Sequence, residues 1–355
     1  MSFKSLPIID LALADDPSTK QELLDRLADA LFRVGFLYLV NHGVEKEADE
    51  LMELMPEVFA VSDEEKQKVA MTTNPHFVGY TKLGAEMTAR AVDQREQFDF
   101  GSATEVDPLN PDVSDKTNPQ WRRIQGPSPY LPDSVLPGFR KKVETYISKM
   151  DRLSNRLLGL IGECLKLDSD ALMPFVGRMN RLKLVKYPGS EENKQGVGPH
   201  KDSSGLLTLL LQDSVGGLEV LNSDGEWVPA KPVPNSFVVN MAQGFEALTG
   251  GRCTATSHRV ISPPPGVTRY SIPYFSSVRL DLTLDMINKQ LDYIQGRIPE
   301  PTDQKRRNNQ ASTEFLDPKY SCFGEAHLRN RIISHRDVAA IWYKDIKDKY
   351  LAEVL

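Results

Sequence analysis

The spacing of hydrophobic residues along the chain changes at about Arg181. Upstream, apolar residues recur at steps of three and four, as they do in helices that bury one face. This pattern predicts three helices, over roughly 16–34, 45–59 and 139–164. We expect Asp16 to cap the first helix, Pro17 to lie in its first turn, and Gly35 to end it. The apolar run at 36–40 then predicts a buried strand.

Downstream of Arg181, short β-rich runs alternate with Gly, Pro, Asn and Asp. They read RLKLVKYP, GLLTLLLQD, GLEVLN, EWVPA, SFVVNM, ATSHRVI and RYSIPYFSS. Short strands at regular spacing, with turn residues between them, are typical of β-sandwiches and barrels. The segment 101–137 is rich in Pro, Asp and Asn and predicts a long irregular connection. After about Leu280 the chain turns polar, and one helix is predicted there, capped by Ser334.

The composition is that of an ordinary globular enzyme, with 40% hydrophobic and 26% charged residues. The net charge of −6 comes without a block of Lys and Arg, so no nucleic-acid partner is expected. No apolar run approaches a membrane span, and MSFKSLPIID contains no signal-peptide core, so no membrane association is expected. Three widely spaced cysteines favour a reducing compartment, the cytoplasm. Nothing in the sequence predicts the oligomeric state.

Two histidines and an aspartate form the first group with chemical potential. His200 and Asp202 are two positions apart in a strand-like run and would therefore face the same way. His258 follows in another short β-rich run. Two imidazoles and one carboxylate on one side of a metal are the ligands of non-haem Fe(II) oxygenases, and they leave positions open for a chelating cosubstrate and dioxygen. A His-x-Asp pair alone often arises by chance, and an isolated histidine is more often a satisfied polar residue.

A second pair with strand spacing, Arg269 and Ser271, begins eleven residues after His258. An Arg fork beside a hydroxyl suits a carboxylate that is bound through two hydrogen bonds. The simpler alternative for this arginine is a surface salt bridge. A metal site followed by a carboxylate site indicates a chelating keto acid that carries a second, distal carboxylate.

These motifs, in this order, resemble the isopenicillin N synthase-like branch of the 2-oxoglutarate/Fe(II)-dependent dioxygenases. LPIIDL, GFLYLVNHGV and REQFDFG resemble the family's N-terminal region, and HKDSSGLLTLLLQD, SFVVNM, SHRV and RYSIPYF resemble its catalytic core. The resemblance covers nearly the whole chain. It implies a mainly β protein with flanking helices around a double-stranded β-helix, or jelly-roll, core.

The resemblance also divides the chain into four parts of one structural unit. An N-terminal dioxygenase region of helices and strands that pack on the core is expected at 1–105. A connection and the long helix follow at 106–180, and the Fe(II)/2-oxoglutarate jelly-roll core at 181–280. A C-terminal helical tail or lid is expected at 281–355.

The resemblance implies a reaction as well as a fold. Fe(II) is expected at His200, Asp202 and His258, with 2-oxoglutarate as cosubstrate, dioxygen as oxidant and ascorbate as a supporting reductant. The enzyme would oxidise an unactivated C–H bond of a small molecule, by hydroxylation, desaturation or ring formation or expansion, in secondary-metabolite biosynthesis. The presence of Asp202 disfavours halogenation, because related halogenases bind halide in the place of this carboxylate.

The cosubstrate site follows the family pattern with some departures. The resemblance implies that Arg269 and Ser271 hold the distal carboxylate of 2-oxoglutarate and that Tyr187, the tyrosine of the family's Asn-x-Tyr motif, lies beside it. Val185 replaces the asparagine of that motif. The other departures are Ala242-Gln243, where the family has Gly-Asp, and Gly250-Gly251, where it has Asn-Gly. They put in doubt any hydrogen bond that the missing polar side chains would make.

Three alternative functions stay open at this point. An isopenicillin N synthase-type oxidase has the same ligands but takes all its electrons from its substrate, whose own carboxylate the Arg-x-Ser pair would hold. A non-catalytic jelly-roll binding protein would not bind Fe(II). A zinc hydrolase is less favoured, because no His-Glu-x-x-His motif supplies a general base beside the ligands.

The substrate site is less clearly marked. The segment 77–101 resembles the stretch that covers the family's active-site mouth, and HLRNRIISHRD near the C-terminus would close over the site. The candidates for substrate contact are Tyr80, Lys82, Glu86, Thr88, Arg90, Phe275, Arg329 and Arg331. We hypothesise that one arginine of the C-terminal pair binds a carboxylate of the substrate. The alternative for that pair is a solvated helix start, and for Phe275 simple core packing.

The remaining histidines and one cysteine are expected to have no chemical role. His42 precedes a predicted turn and is expected to be structural. His76, His327 and His335 lie in polar contexts and are expected to be solvated. Cys253 is expected to be a small core residue, because thiolates prefer softer metal sites.

Overall fold

Two β-sheets face each other at the centre of the protein, and helices cover the outside of the larger one. The structure is a computed structural model of the 355-residue chain. It describes residues 2–88, 91–103, 105, 107, 109, 112, 115, 117–191, 195–203, 205–294, 297, 315 and 317–353. The predicted mainly β architecture with flanking helices is confirmed.

The larger sheet has eight strands in the order β1-β2-β12-β9-β14-β7-β6-β3. Its strands are β1 Ile8–Asp10, β2 Phe36–Val40, β3 Gly79–Thr81, β6 Glu96–Gly101, β7 Arg181–Tyr187, β9 Gly205–Gln212, β12 Ser236–Met241 and β14 Arg269–Ser277. Neighbouring strands are antiparallel, except for the parallel pair β1 and β2. The N-terminal region therefore extends the same sheet to which the later strands belong.

The smaller sheet has four strands in the order β11-β10-β13-β8. They are β8 Gln195–His200, β10 Leu218–Leu221, β11 Trp227–Pro229 and β13 His258–Ile261. Two further short strands, β4 Met87–Thr88 and β5 Ala91–Val92, pair with each other. Apolar residues of both sheets, such as Tyr38, Val185, Val220 and Val260, pack together in the space between them. This packing gives the two-layered core of a jelly roll.

Helices surround the larger sheet, and they pack either on its outer side or on one another. Their bounds are α1 Lys20–Asp29, α2 Glu45–Ala60, α3 Asp63–Lys68, α4 Phe139–Cys164, α5 Gln243–Leu248, α6 Leu284–Ile294, α7 Phe323–Ser334, α8 Arg336–Trp342 and α9 Lys347–Leu351. Short 3₁₀ segments are Leu11–Ala14, Met71–Thr73, Gln120–Ile124 and Met173–Phe175. The long helix α4 packs on α1, α2 and β14. Its buried face follows the three- and four-residue steps of the sequence.

The predicted strand at 36–40 and the helices at 45–59 and 139–164 are confirmed, whereas the start of the first helix was wrong. That helix begins at Lys20, because Asp16 accepts its hydrogen bonds from Ser18 in the preceding turn. Its last turn is π-helical and ends at Gly35 as predicted. Gly35 has a φ of +78°, and a Cβ there would lie 2.3 Å from Thr256 Oγ1, so a side chain does not fit.

The prediction for the C-terminal helix was also wrong. Ser334 is the last residue of α7, and its hydroxyl bonds to the carbonyl of Asn330 one turn earlier instead of capping a new helix. The next helix begins at Arg336. Within the predicted connection 101–137, the part that the structure describes contains a single 3₁₀ turn at 120–124, in keeping with an irregular path.

One apolar cluster on the outer side of the large sheet contains residues from Ile9 to Tyr350. The four predicted parts of the chain thus contribute to a common core, while their boundaries stay predictions. Among the described residues, no helix is both long enough and apolar enough to span a membrane.

Candidate active site

A cavity of about 580 Å³ opens between the two sheets and is bordered by α7. This volume is in the usual range for small-molecule sites. The two sheets, the segment around β4 and helix α7 all contribute to its lining. Alternate residues of β14 face it, in agreement with strand geometry: Arg269, Ser271, Pro273 and Phe275.

Two histidines lie side by side in the smaller sheet. His200 ends β8 and is the register partner of His258, the first residue of β13, and the ring centroids are 4.2 Å apart. Nδ1 of His200 lies 2.8 Å from the carbonyl oxygen of Gly198, and Nδ1 of His258 lies 3.2 Å from that of Thr256. We assign the proton to Nδ1 in each ring, because a carbonyl can only accept. Each Nε2 then keeps its lone pair for a metal.

Asp202 completes this group from a loop, because β8 ends at His200 and not beyond it as predicted. Its Oδ1 lies 3.6 Å from Nε2 of His200 and 3.6 Å from Nε2 of His258. Its Oδ2 accepts hydrogen bonds from Thr208 Oγ1 at 2.6 Å and Asn240 Nδ2 at 2.8 Å. The three candidate ligand atoms lie within 4.8 Å of one another. Two nitrogens and one oxygen that converge in this way fit a ferrous ion with open positions.

The protonation states of this group also suit a metal. Burial and the neighbouring His258 lower the pKa of His200 to about 4, so its ring is neutral near pH 7. Burial acts to raise the pKa of Asp202, but His258, His200 and the Asn240 hydrogen bond outweigh it and lower the pKa. A neutral imidazole and an ionised carboxylate are the forms that bind metal ions.

An unpaired guanidinium is buried in the larger sheet, on the cavity wall. Arg269 is 0% exposed, and within the described part of the chain Nε, Nη1 and Nη2 have no hydrogen-bond partner. Its guanidinium carbon lies 4.8 Å from the ring centre of Tyr187, its register partner on β7. Ser271 follows on the same face and is paired in register with Val185. A buried cation without a partner is strongly unfavourable, so this position fits an anionic ligand such as a distal carboxylate.

Sequence comparison with protein families gives two matches. Residues 6–129 match the N-terminal region described as that of a non-haem dioxygenase in morphine synthesis, and residues 178–278 match the 2OG-Fe(II) oxygenase superfamily. The 2-oxoglutarate-dependent dioxygenase frbJ of Dothideomycetidae sp. (strain 11243) is 37% identical over 96% of this chain and 93% of its own. The chain belongs to the 2OG-Fe(II) oxygenase superfamily. A 2-oxoglutarate-dependent dioxygenase of Gibberella zeae is also similar, with 31% identity over 97% of this oxygenase and 93% of its own length.

Solved structures agree with this assignment. A full-length Neurospora crassa protein in complex with alpha-KG and thymine superposes with a TM-score of 0.66 at 25% identity, over 78% of this oxygenase and 86% of the Neurospora chain. A 2OG-Fe(II) oxygenase family protein from Caulobacter crescentus shares the fold with a TM-score of 0.71 at 24% identity, over 94% and 100% of the two chains. The predicted family and jelly-roll fold are confirmed. The protein is a 2-oxoglutarate-dependent dioxygenase and uses Fe(II), 2-oxoglutarate and dioxygen.

The oxygenase brings together some of the predicted substrate residues and not others. Glu86, Thr88, Phe275 and Arg331 line the cavity. Three other predicted residues are not part of the lining of this cavity. Tyr80 donates a hydrogen bond to Glu96, Lys82 is exposed, and Arg329 pairs with Glu353 at 3.2 Å. Arg90 lies outside the described residues.

Glu86 and Arg331, both predicted from the sequence, belong to a larger group of charged residues beside the substrate space, which we name the charged wall and whose other members the sequence analysis missed. It consists of Glu86, Asp93, Arg95, Asp99, Arg181, Lys183 and Arg331. Arg95 pairs with Glu86 at 2.9 Å and with Asp93 at 3.1 Å. Lys183 pairs with Glu86 at 3.6 Å and with Asp99 at 3.5 Å. A signal was present in RLKLVKY, where positions 181 and 183 share a strand face with Tyr187.

Two of the positions at which the chain differs from the family motifs lie in or near this site. Val185 is fully buried in the apolar cluster between the sheets. Because a valine side chain has no polar atom, this position supplies no hydrogen bond to the cosubstrate, unlike the asparagine of the family. Gln243, at the position of the family's aspartate, lines the cavity as the first residue of α5. The position therefore stays polar, but without a charge.

The prediction that three histidines are solvated was wrong. His76, His327 and His335 are each buried, because long-range contacts cover side chains whose neighbours in sequence are polar. His76 lies against Arg123, and His335 lies 3.7 Å from the Glu86 carboxylate. His42 is buried against Phe237, and Cys253 is fully buried, as a core cysteine should be.

Burial of His335 predicts a loss of stability at mildly acidic pH. Burial lowers its pKa to about 3, below the usual value near 6.5, so the unfolded chain binds this proton more tightly. Stability should fall as the pH drops from 6.5 toward 3. Because His335 is only 3% exposed, we expect its share of the loss between pH 7.5 and 5.5 to be roughly 1 kcal/mol.

Urea denaturation of the wild type and of His335→Gln at both pH values measures this share. Glu86 stays ionised over the whole range, because Arg95 and Lys183 outweigh burial and hold its pKa well below usual. The variant should lose less stability between the two pH values than the wild type. Equal losses in the two proteins would show that His335 does not titrate in this way.

Proposed function

We propose that His200, Asp202 and His258 are the Fe(II) ligands of this oxygenase. The support is the convergence of their donor atoms within 4.8 Å and the hydrogen bonds that orient each of them. Thr208 and Asn240 hold one oxygen of Asp202, which leaves the other oxygen directed at the two imidazoles.

Arg269 and Ser271 are assigned to the distal carboxylate of 2-oxoglutarate, with Tyr187 beside it. The single observation that carries this assignment is the fully buried guanidinium of Arg269, whose three nitrogens lack partners among the described residues. A planar carboxylate matches the fork of a guanidinium with two hydrogen bonds. The Tyr187 ring lies against the guanidinium in a cation–π contact.

The residues of this chain have the tasks of binding, orienting and shielding. Bound iron and 2-oxoglutarate together supply the oxidant, through oxidative decarboxylation of 2-oxoglutarate by dioxygen. The Arg269 clamp fixes the far end of the cosubstrate, and the apolar residues between the sheets keep water from the iron ligands. Phe275 and Leu210 give the substrate space apolar surface, and α7 borders it.

The reaction is oxidation of a C–H bond in a small molecule that fits beside the iron ligands. The cavity of about 580 Å³ has room for such a molecule but not for a folded partner. The Neurospora crassa structure contains thymine, which is a small molecule of this kind. Two fungal 2-oxoglutarate-dependent dioxygenases among the relatives support secondary metabolism as the setting. The cytoplasm is the proposed location, because all three cysteines are free.

Two alternatives have less support. An oxidase that does not use 2-oxoglutarate is disfavoured, because several relatives carry 2-oxoglutarate dependence in their names. A non-catalytic binding protein is disfavoured by the complete ligand group.

Succinate release tests the proposed function. The purified chain with Fe(II), ascorbate and 2-oxoglutarate is expected to form succinate slowly by itself and faster when a substrate is added from a metabolite library. Mass spectrometry then identifies the oxidised product. Absence of any Fe(II)-dependent succinate formation, with or without library compounds, would refute the proposal.

A further inference from the structure

Helix α7 presents a polar face to the cavity. His327, Asn330, Arg331 and Ser334 lie at spacings of three and four and all line the cavity. This spacing places them on one side of the helix. The face is not needed for the iron ligands or for the Arg269 clamp, so it remains available to a substrate.

Arg331 is the charged residue of this face. Among the residues described by the structure, none forms a hydrogen bond or an ion pair with its guanidinium. Glu86 and Asp99 attract Arg331, but each has a closer cationic partner: Glu86 pairs with Arg95 at 2.9 Å, and Asp99 pairs with Lys183 at 3.5 Å. Arg331 therefore differs from Arg95 and Lys183, which form ion pairs with these carboxylates.

The charges of the charged wall do not cancel. Its four cations, Arg95, Arg181, Lys183 and Arg331, face three carboxylates, those of Glu86, Asp93 and Asp99. Arg181 donates its hydrogen bonds to the backbone carbonyls of His76 and Phe77, so it consumes no carboxylate. Arg331 is half-buried at the cavity wall, so the surplus charge is only partly solvated and binding of an anion beside it is favourable.

The surplus positive charge affects the protonation of the groups around Arg331. Burial lowers the pKa of Arg331, and the attraction of Asp99 and Glu86 only partly offsets this effect. Burial and Arg331 together lower the pKa of His327, so its ring is neutral. The Nδ1 atom of His327 has no hydrogen-bond partner among the described residues. A second polar group without a partner thus borders the cavity four residues before Arg331.

We propose that the substrate is a small organic acid whose carboxylate is bound by Arg331, with His327 beside it. This assignment rests on the proposed function and adds a substrate class to it. The acid group would be a different one from the distal carboxylate of 2-oxoglutarate, because Arg269 lies on β14 and Arg331 on α7. Binding of one carboxylate at Arg331 would make the charged wall neutral.

Paramagnetic NMR tests the assignment without turnover. The full chain is loaded with Mn(II) and the 2-oxoglutarate analogue N-oxalylglycine, and a library of small carboxylic acids is added, each alongside its own primary amide. Binding near the metal broadens the proton signals of a ligand. We expect at least one acid to be broadened while its amide is not, because only the acid matches the surplus cation.

Variants of two arginines on the same helix separate a specific role from a structural one. Arg331→Gln should weaken binding of that acid at least about tenfold, as expected for loss of a charged hydrogen bond. Arg331→Lys should keep part of the affinity, since it keeps the charge. Arg329→Gln is the matched control and should bind the acid nearly as the wild type does, because Arg329 does not line the cavity and its contacts include Glu353 and the side-chain oxygen of Asn330.

The possible outcomes distinguish the two proposals. If the wild-type chain fails to bind Mn(II) with N-oxalylglycine, the proposed function falls and this inference falls with it. If loading succeeds and no acid is preferred over its amide, only the acid-substrate inference is overturned. Unchanged acid binding by Arg331→Gln overturns it as well.

Discussion

Replacement of Asp202 by alanine is expected to lower Fe(II) affinity and succinate formation at least about a hundredfold, more than the loss of an outer hydrogen bond would. The change removes the carboxylate oxygen that lies 3.6 Å from both imidazoles and leaves two neutral ligands. Anaerobic titration with Fe(II) measures the affinity, and mass spectrometry measures succinate.

Two further variants serve as reference points for the size of the effect of Asp202→Ala. Asn240→Ala removes a hydrogen bond to the non-coordinating oxygen of Asp202 and should cost about 10- to 100-fold in metal affinity. Asp224→Ala, at an exposed position after β10, should cost nothing. Fe(II) affinity in Asp202→Ala that stays within a few-fold of the wild type would exclude the carboxylate as a ligand.

Replacement of Arg269 by glutamine is expected to weaken 2-oxoglutarate binding at least about a hundredfold, because it removes one partner of a buried ion pair. Fe(II) binding should persist, since Arg269 is not among the converging ligand atoms. The absorption band that 2-oxoglutarate produces on binding to Fe(II) without oxygen reports both events in one titration.

Stability distinguishes a ligand-binding role of Arg269 from a structural one. Without 2-oxoglutarate the buried guanidinium has no partner among the described residues, so Arg269→Gln should not lower the free energy of unfolding. With saturating 2-oxoglutarate only the wild type should gain stability. A variant that is much less stable without ligand, or that binds 2-oxoglutarate normally, would contradict the clamp.

The elements that sequence predicted well are those with a strong local pattern. The apolar face of 139–164 follows helical steps, and the short strands alternate with turn residues, so local spacing was sufficient. Asp202 was predicted to share a strand with His200 but lies in the loop after it. The prediction of convergence held, because the loop turns the carboxylate back toward both imidazoles.

The residues whose surroundings the sequence did not predict are those whose environment is determined by long-range packing. His335 has polar neighbours in sequence, yet contacts with Phe77 and Glu86 bury it. The sequence does not separate Arg329 from Arg331, because it does not show that both positions lie within one helix. In α7 two positions differ by about 200°, so one arginine enters the cavity and the other pairs with Glu353.

The charged wall draws its members from three distant stretches of the chain, around Glu86 and Arg95, at Lys183, and at Arg331. None of these residues is among the proposed iron ligands, and Arg95 is the member that interacts with Tyr187 beside the Arg269 clamp. Substitutions at the other members, Arg331 in particular, can consequently change which substrate binds and leave the binding of iron and 2-oxoglutarate unchanged. A chimaera of this oxygenase in which α7 comes from a relative is expected to use the same cosubstrate but to accept a different substrate.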